Sequence, residues 1–596
     1  MEDHSATPTL REEIRGGLAG EAVEYGQSPS LARTTSQKLP HHDTASSENA
    51  KLESKEETEK SQDDSGLLSG LRLYLVFLSL MLCVFMFALD QSIVSTAIPI
   101  IVSDFHAFDQ VAWIITGYFL TQCGLIMFVG QLLTVLKAKW MLLGAVFFFE
   151  LGSLVCAVAK DMDTLIGGRA VQGIGASGMF VSILSVIATV TRVDQRAAFM
   201  SSFGIVFVIS SVVGPLLVRP LPFSFVHINL VLFLSYRVVL SRNIWCFYIN
   251  LPFGGIAAAA VVFLLPARDP EKNDNVPDDM PLWKKLMRLD WLGTALIFCL
   301  VTSLLLALSW GGNQYSWKNW RIIFLFILGG LLAIAFVASQ IWLDKRALIP
   351  HSLLKDRTVL SAACTIFFWM LAMLGGTYQL PLFYQAVRNH SPEKSGVDII
   401  AFMLSVCVAI FVSGGFTTKF GRYYPFFLLG PPFSAVGFGL LYTVDANTAG
   451  SRLIGYQILA GFGVGLSFQM AFLAVQAQYH DRPHLLPQAT AVVTFMQLTG
   501  AAIGIGIVNT VQSVYLNTEI KRLAPDVDFE LVRHSVSAIY TLPKAQQPAV
   551  VDAYVISITK SFIPIIIAVS LALISGAFVR NHSMLQKGGA GGGHMA

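Results

Sequence analysis

Apolar runs of about 20 residues recur along most of the chain, separated by short polar stretches, and each is long enough as a helix to cross a bilayer core of about 30 Å. Of the 596 residues, 54% are hydrophobic and 13% charged, whereas soluble domains carry about 25% charged residues. The pattern specifies an all-α polytopic membrane protein. A net charge of +3 is too small for a nucleic-acid surface, and the bilayer is the first partner implied.

The first six spans fall near 72–98, 109–133, 140–160, 164–187, 198–218 and 244–266. Two more lie near 289–310 and 321–343, after the amphipathic stretch Pro281 to Leu286. The last six lie near 358–384, 397–416, 423–443, 452–475, 487–511 and 559–580, with 513–557 read as a long polar loop. Residues 1–68 are polar, with a charge run from Lys51 to Asp64, and have the composition of a disordered tail. Residues 583–596 form a flexible Gly-rich end. Met1-Glu2-Asp3-His4 opens no signal-peptide core, so the first span is expected to direct insertion.

Fourteen spans put both termini on one side. Lys137, Lys139, Arg192, Arg196, the stretch Arg268 to Arg288, Lys345 to Arg357, Lys419 and Arg422 fall in loops on the side of the tail, while the first opposite loop, Val102 to Gln110, has no Lys or Arg. The excess of cations places the tail in the cytoplasm. The seven cysteines lie in apolar segments without a CxxC pair and read as small core residues, not metal ligands. No nucleophile constellation, phosphate-cradling loop or metal-ligand spacing is present, so neither an enzyme, a cofactor nor ATP-driven transport is expected.

Asp90, in Leu89-Asp90-Gln91-Ser92-Ile93-Val94, ends the first apolar stretch. A carboxylate there costs roughly 2.5–3.5 kcal/mol on insertion scales and normally serves a proton, an ion or a cationic substrate. The bland alternative is a local cap or pair at a kink near Pro99. Arg169 opens the fourth span, either as a buried cation or as an interfacial side chain snorkelling beside Asp161 and Asp163. Gln172 is a hydrogen-bonding candidate for Asp90 or for substrate. Glu150, in Phe149-Glu150-Leu151-Gly152-Ser153, is either a second titratable site or a structural bond to a neighbouring helix, and the small residues after it favour structure. Gln379, Tyr384, Gln385, Gln469 and Gln497, with Tyr378, are candidates to line a pocket for a mostly apolar ligand, although interhelical bonding explains each one singly.

An internal repeat links the halves. Gly130-Gln131-Leu132-Leu133-Thr134 through Lys137 and Lys139 resembles Gly414-Gly415-Phe416-Thr417-Thr418-Lys419 through Gly421 and Arg422. Arg169-x-x-Gln172-Gly173-x-Gly175 matches Gln457-x-x-Ala460-Gly461-x-Gly463. The expected organisation is a six-helix bundle over 69–267, a linker with two extra helices over 268–357, and a second six-helix bundle over 358–582. Repeats of this kind place a substrate site near the midplane between the halves.

Asp90 through Pro99, the Arg169 to Gly175 run, Gly214-Pro215, Phe247-Tyr248-Ile249-Asn250-Leu251-Pro252-Phe253-Gly254-Gly255, Leu380-Pro381-Leu382-Phe383-Tyr384-Gln385 and Gly461-Phe462-Gly463-Val464-Gly465 occur in this order. Together they resemble the major facilitator superfamily, specifically its fungal fourteen-span drug:proton antiporters, over roughly residues 70–580. The resemblance implies the superfamily fold, two six-helix bundles plus a two-helix insert. It also implies proton coupling at Asp90 with help from Arg169, and gating or close packing at Gly130, Lys137, Lys139, Gly173, Gly175, Gly214, Pro215, Gly421 and Arg422. Two departures stand out. Thr134 and Thr418 occupy the place of the superfamily's gating Asp, and an apolar insert over 218–243 follows Gly214-Pro215.

The leading expectation is a monomeric, proton-coupled exporter of small hydrophobic organic molecules, such as drugs, fungicides or a fungal secondary metabolite, in the plasma membrane, with the vacuolar membrane as the rival location. The alternatives are a proton-coupled uptake symporter for a siderophore, sugar or anion, and an inactive isoform carrying a retained intron at 218–243. Asn389-His390-Ser391 is a glycosylation acceptor in an expected external loop, with Pro392 directly after it.

Overall fold

The computed structural model describes residues 68, 70–105, 110–218, 245–270, 280–311, 315–527, 529, 532 and 536–584. Of the tail expected over 1–68, the insert over 218–243 and the Gly-rich end over 583–596, all but residues 68, 218, 583 and 584 lie outside them. Every long element is a helix. In chain order they are α1 (Gly70–Phe105), α2 (Val111–Leu132), α3 (Ala138–Ala157), α4 (Met162–Val190), α5 (Val193–Val218), α6 (Asn250–Leu264), α7 (Trp291–Trp310), α8 (Trp320–Leu343), α9 (Arg357–Arg388), α10 (Ile400–Phe420), α11 (Tyr424–Tyr442), α12 (Gly450–Phe468), α13 (Met470–Gln478), α14 (Leu486–Leu523) and α15 (Gln547–Ala577). In a bilayer the backbone must satisfy its own hydrogen bonds, which a helix does within one segment.

Twelve helices among the described residues are long and apolar enough to cross a membrane. The 15-residue α6 and α5 occupy the remaining positions, which is consistent with fourteen spans. Side-chain caps define several starts. Asp161 accepts from Thr164 N ahead of α4, Asp290 from Gly293 N ahead of α7, Asn319 from Arg321 N ahead of α8, and Asp356 from Thr358 N ahead of α9. Each satisfies a backbone donor that the first helical turn leaves open. Gly421 closes α10 in the left-handed region at φ 67°, where glycine carries no Cβ penalty.

The membrane face is written in exposed side chains. On α8, Ile323, Phe324, Ile327, Leu331, Ile334 and Ile341 are exposed, as expected for a helix lying against lipid. Trp140, Trp283, Trp291, Trp320 and Trp342 are also exposed, and indole rings of this kind favour the membrane–water interface.

One sequence expectation needs correction and another gains a detail. The polar loop expected over 513–557 is mostly helix: α14 runs on to Leu523, a 3-10 segment covers Val536–Thr541, and α15 begins at Gln547. Polar side chains hid this continuation, yet Leu516 and Ile520 are buried and Arg522 pairs with Glu519 one turn away. The span expected over 452–475 is present as one membrane span, Gly450–Gln478, interrupted at Gln469 where α12 passes into α13.

Candidate functional site

The helices α1, α2, α3 and α4 converge on a buried charged cluster. Arg169 Nη1 donates to both carboxylate oxygens of Asp90, at 3.0 Å to Oδ1 and 2.8 Å to Oδ2, and to Gln172 Oε1 at 2.6 Å. Arg169 Nε donates to the Ile114 carbonyl at 3.3 Å, and the guanidinium lies 4.2 Å from the centre of the Tyr118 ring. Gln172 Nε2 in turn donates to Asp90 Oδ1 at 2.7 Å and to Ser153 Oγ at 3.0 Å. Asn250 Nδ2 of α6 reaches the same Ser153 hydroxyl at 3.2 Å. Arg169 is 3% exposed and Asp90 2%. Arg169 is therefore not a snorkelling side chain. Asp161, its alternative neighbour, caps α4 at the surface, where the backbone N–H and hydroxyl of Thr164 hold its carboxyl below the usual range.

Glycines make this convergence possible. A side chain at Gly173 would collide with Thr121 Oγ1 and the Tyr118 carbonyl on α2. One at Gly175 would sit 2.6 Å from the Ala145 carbonyl on α3. One at Gly152 would meet the backbone of Gln172. With hydrogen in these places α4 closes on both neighbours, and Thr121 Oγ1 donates to the Ala170 carbonyl at 2.8 Å. Small residues that let helix backbones touch are the usual basis of packing in lipid.

The repeat seen in sequence recurs in space with the charge removed. Gly461 presses on the Phe402 carbonyl and Ser405 Oγ as Gly173 does on Tyr118 and Thr121, and Gly463 meets Gly430 and Ser434 as Gly175 meets Ala145 and Phe149. Gln457 stands where the first copy has Arg169, and its Nε2 donates to Tyr384 Oη at 2.7 Å. The pair is buried and neutral.

The other candidates are spread more widely. Gln379 is buried, with Nε2 3.5 Å from Asn509 Oδ1 of α14 and Oε1 without a partner. Gln385 Nε2 donates to Ser395 Oγ at 2.9 Å, Gln469 Nε2 donates to the Met200 carbonyl of α5 at 3.1 Å, and Gln497 is half-buried on α14. Gly214 and Pro215 lie on α5. Asn389 caps α9 in the left-handed region at φ 52° and is exposed.

At the end of the bundle where α2 turns into α3, a cluster forms that the sequence did not announce. Gly130 faces α14, where an added Cβ would lie 3.1 Å from the Pro487 carbonyl. Asp290, 1% exposed, accepts from Gly293 N at 2.6 Å, Gln340 Nε2 at 2.8 Å and Leu348 N at 3.2 Å. Its own N–H donates to Gln131 Oε1 at 3.1 Å, Gln131 Nε2 donates to the Arg346 carbonyl at 2.8 Å, and Gln488 of α14 donates to the Leu348 carbonyl at 3.2 Å. Nearby, Lys137 pairs with Asp269 at 2.8 Å and Lys139 Nζ donates to the Val262 carbonyl at 2.7 Å. Thr134 and Thr418 turn their hydroxyls back to the Gln131 and Gly414 carbonyls of their own helices. Arg422 is exposed, and its carbonyl accepts from Thr417 Oγ1 at 3.4 Å.

Ser153, Asn250, Gln457 and Asp290 thus belong to the polar framework although none was a candidate. The available signal was a polar residue within, or directly before, an apolar run. No group of three or more His, Cys, Asp or Glu side chains that could hold a metal occurs among the described residues.

Comparison with known proteins gives one consistent answer. The sequence profile described as Major Facilitator Superfamily matches residues 80–355 and 344–505. The chain is 36% identical over 475 residues to the efflux pump aflT of Aspergillus parasiticus, covering 80% of this chain and 88% of that protein. It is 37% identical over 509 residues to the efflux pump roqT of Penicillium rubens, covering 84% and 89%. Among solved structures it resembles the human organic anion transporter MFSD10, with TM-score 0.54 at 12% identity, covering 86% of this chain and 100% of that one. It also resembles the proton:xylose symporter XylE, with TM-score 0.52 at 13% identity, covering 86% and 96%. These two likenesses speak to the fold alone.

Proposed function

Because the chain belongs to the Major Facilitator Superfamily and is a multi-pass membrane protein, we propose that it is a proton-coupled antiporter exporting small hydrophobic organic molecules, with fungal secondary metabolites and drugs as the substrate class. Relatives at 36% and 37% identity carry the name efflux pump. The observation that carries the coupling is the contrast between the two copies of the repeat: Asp90, Arg169 and Gln172 are joined by hydrogen bonds in the first, and Gln457 with Tyr384 in the second. Only the first copy can gain and lose a proton at a carboxylate.

Asp90 ionised is held by Arg169. Protonation cancels the attraction, frees the guanidinium and removes the reason for α1 and α4 to stay together at this point. Proton gain and helix rearrangement are therefore one event. With the excess of loop cations facing the cytoplasm, both termini lie there. The contacts of Gly130 with α14 and of Gln469 with α5 then close the cytoplasmic side. In that state a substrate site bounded by Gln379, Tyr384, Gln385 and Gln497 communicates with the outside, and the halves rock about it to alternate access. The protein acts as a monomer in the plasma membrane.

The deciding experiment is efflux from a fungal strain lacking its own exporters, with dyes, azoles and polyketides as the panel. Efflux that collapses on adding a protonophore supports the reading. Accumulation driven inward by the same gradient refutes it.

A further inference from the structure

Glu150 stands outside the mechanism described so far. It lies in the middle of α3, and both of its carboxyl oxygens are buried without a hydrogen-bond partner. The structural bond to a neighbouring helix expected from sequence is not made. Space for the carboxyl comes from α6, where a side chain at Gly254 would overlap Glu150 Oε1. The carboxyl therefore occupies the place of a side chain on the facing helix.

The same seam leads to Asp90. Asn250 is one helical turn before Gly254 on α6, and Ser153 is three residues after Glu150 on α3, a spacing that shares one helix face. Asn250 donates to Ser153 at 3.2 Å, Gln172 donates to Ser153 at 3.0 Å, and Gln172 donates to Asp90 at 2.7 Å. A continuous buried chain thus runs from Asp90 to the turn next to Glu150. At its end Asn250 Oδ1 is an acceptor without a donor. An orphaned acceptor thus lies on the same seam as an orphaned carboxyl, and both lack a donor.

Chemistry separates the two acids. Asp90 has a guanidinium partner, and Glu150 has none. A carboxylate with no cation and no donor loses several kcal/mol of solvation with nothing in return, and such a group neutralises instead. Two carboxyls whose surroundings pull their protonation apart are how one site handles protons at a single pH. Asp90 and Cys83 on α1 lie within electrostatic reach of Glu150. Arg169 on α4 stands behind Asp90, Tyr248 is on the turn before α6, and the face of α6 opposite Glu150 presents Asn250 and Gly254.

We propose that Glu150 is a second proton-binding site, whose proton occupancy is tied to the charge on Asp90 through Gln172, Ser153 and Asn250. The proton comes from water and leaves to water, and no other bond changes. When Asp90 is ionised, its negative charge keeps the proton on Glu150. When Asp90 takes a proton, that hold weakens and Glu150 can release its own. The transport consequence rests on the antiporter reading, whereas the protonation itself does not.

The test is infrared difference spectroscopy of the purified full chain in nanodiscs across an acid-to-alkaline titration, with neither substrate nor gradient present. Wild type is expected to show a protonated-carboxyl band that titrates. Glu150→Gln should lack it, Glu150→Asp should restore it at a shifted position, and Asp90→Asn should retain it with a displaced midpoint. Gly254→Ala, which crowds the carboxyl and leaves the acid in place, should move the band and serves if Glu150→Gln does not fold. A band untouched by Glu150→Gln overturns the proposal. So does a Glu150 band that neither titrates nor responds to Asp90→Asn, since that describes a permanently neutral structural acid. In proteoliposomes, the pH profile of substrate-coupled proton movement should shift in Glu150→Gln, because no second carboxyl then answers to the charge on Asp90. Absence of any proton coupling in wild type with the spectroscopic result intact would fault the antiporter reading and leave the proton site standing.

Discussion

Replacing Asp90 by Asn tests whether the ion pair is an energetic unit and whether it carries the proton. Arg169 is 3% exposed and gives Nη1 to both oxygens of Asp90. Removing one partner of such a pair typically costs about 3–5 kcal/mol, because the remaining charge stays buried. Asn keeps one acceptor oxygen, and a hydrogen bond to a charged group offsets about 1.5 kcal/mol. The expected net loss is about 1.5–3.5 kcal/mol, or about 13- to 370-fold in the unfolding equilibrium at 1.36 kcal/mol per decade. Arg169→Gln should cost a similar amount, since it strands Asp90 with Gln172 as its remaining described donor. The double variant removes both charges and should lose less than the sum of the singles by about 2 kcal/mol or more. Equilibrium unfolding in mixed micelles, followed by tryptophan fluorescence, measures all three. In proteoliposomes Asp90→Asn should retain downhill substrate movement and lose accumulation against a gradient when a pH difference is imposed. Additive losses in the double variant would show that the pair is not coupled. Full pH-driven transport by Asp90→Asn would remove Asp90 from the mechanism.

Further outcomes follow from other contacts. Gly175→Val drives a side chain into the Ala145 carbonyl and the Phe149 backbone, so it should destabilise by at least about 1–3 kcal/mol, the usual cost of overpacking, seen as lost monodispersity on size-exclusion chromatography. Gly130→Val wedges α2 away from Pro487 and Ala491 and should raise the reactivity of a cysteine placed at Thr134 toward a membrane-impermeant thiol reagent applied from the cytoplasmic face; unchanged reactivity would separate Gly130 from the gate. Tyr384→Phe removes the Gln457 bond and should cost about 1 kcal/mol in unfolding while leaving the proton-to-substrate ratio at its wild-type value. Asp290→Ala leaves the Gly293 and Leu348 N–H groups and Gln340 Nε2 without their acceptor and should cost about 3–5 kcal/mol, as for other broken buried charge networks; a loss below about 1 kcal/mol would mean that water replaces the carboxylate.

Much of the fold was legible because lipid imposes a single local solution. Each apolar run among the described residues became a helix, and the Asp and Asn residues ahead of α4, α7, α8 and α9 became caps. The exception is instructive. α14 runs about three turns past its apolar stretch, held by Leu516 and Ile520, and hydropathy cannot see a helix whose exposed faces leave the membrane. Asp90, Arg169 and Gln172 were legible from the cost of burying charge, but their shared hydrogen bonds were not, because that requires α1 and α4 to be neighbours. Glu150 shows the opposite failure. The small residues after it on α3 suggested a structural bond, but Gly152 packs on the Gln172 backbone, and Gly254 of α6 leaves room for a carboxyl without a hydrogen-bond partner.

The substitution of Thr134 for the superfamily's gating Asp raises the question of what carries charge at that seam. Thr134 cannot do it, since its hydroxyl returns to the Gln131 carbonyl. Asp290 can. It lies at the start of the two-helix insert, and its carboxylate sits at the N-terminal end of α7, where the helix dipole favours an anion. The neighbouring residue on α2, Gln131, accepts the Asp290 N–H and donates to the Arg346 carbonyl beyond α8. Gln488 attaches the Leu348 carbonyl to α14. The extra helices are thereby tied to both α2 and α14, the helices that face each other across Gly130. A pair of helices inserted only to fill lipid would need no buried carboxylate at this point, and burying one without compensation would be unfavourable. The Asp290 carboxylate is held by Gly293, Gln340 and Leu348 of the insert and the segment after it, while its N–H reaches Gln131 of α2 and Leu348 is tied to Gln488 of α14, which argues that the insert brings an anchoring charge to the seam where Thr134 has none.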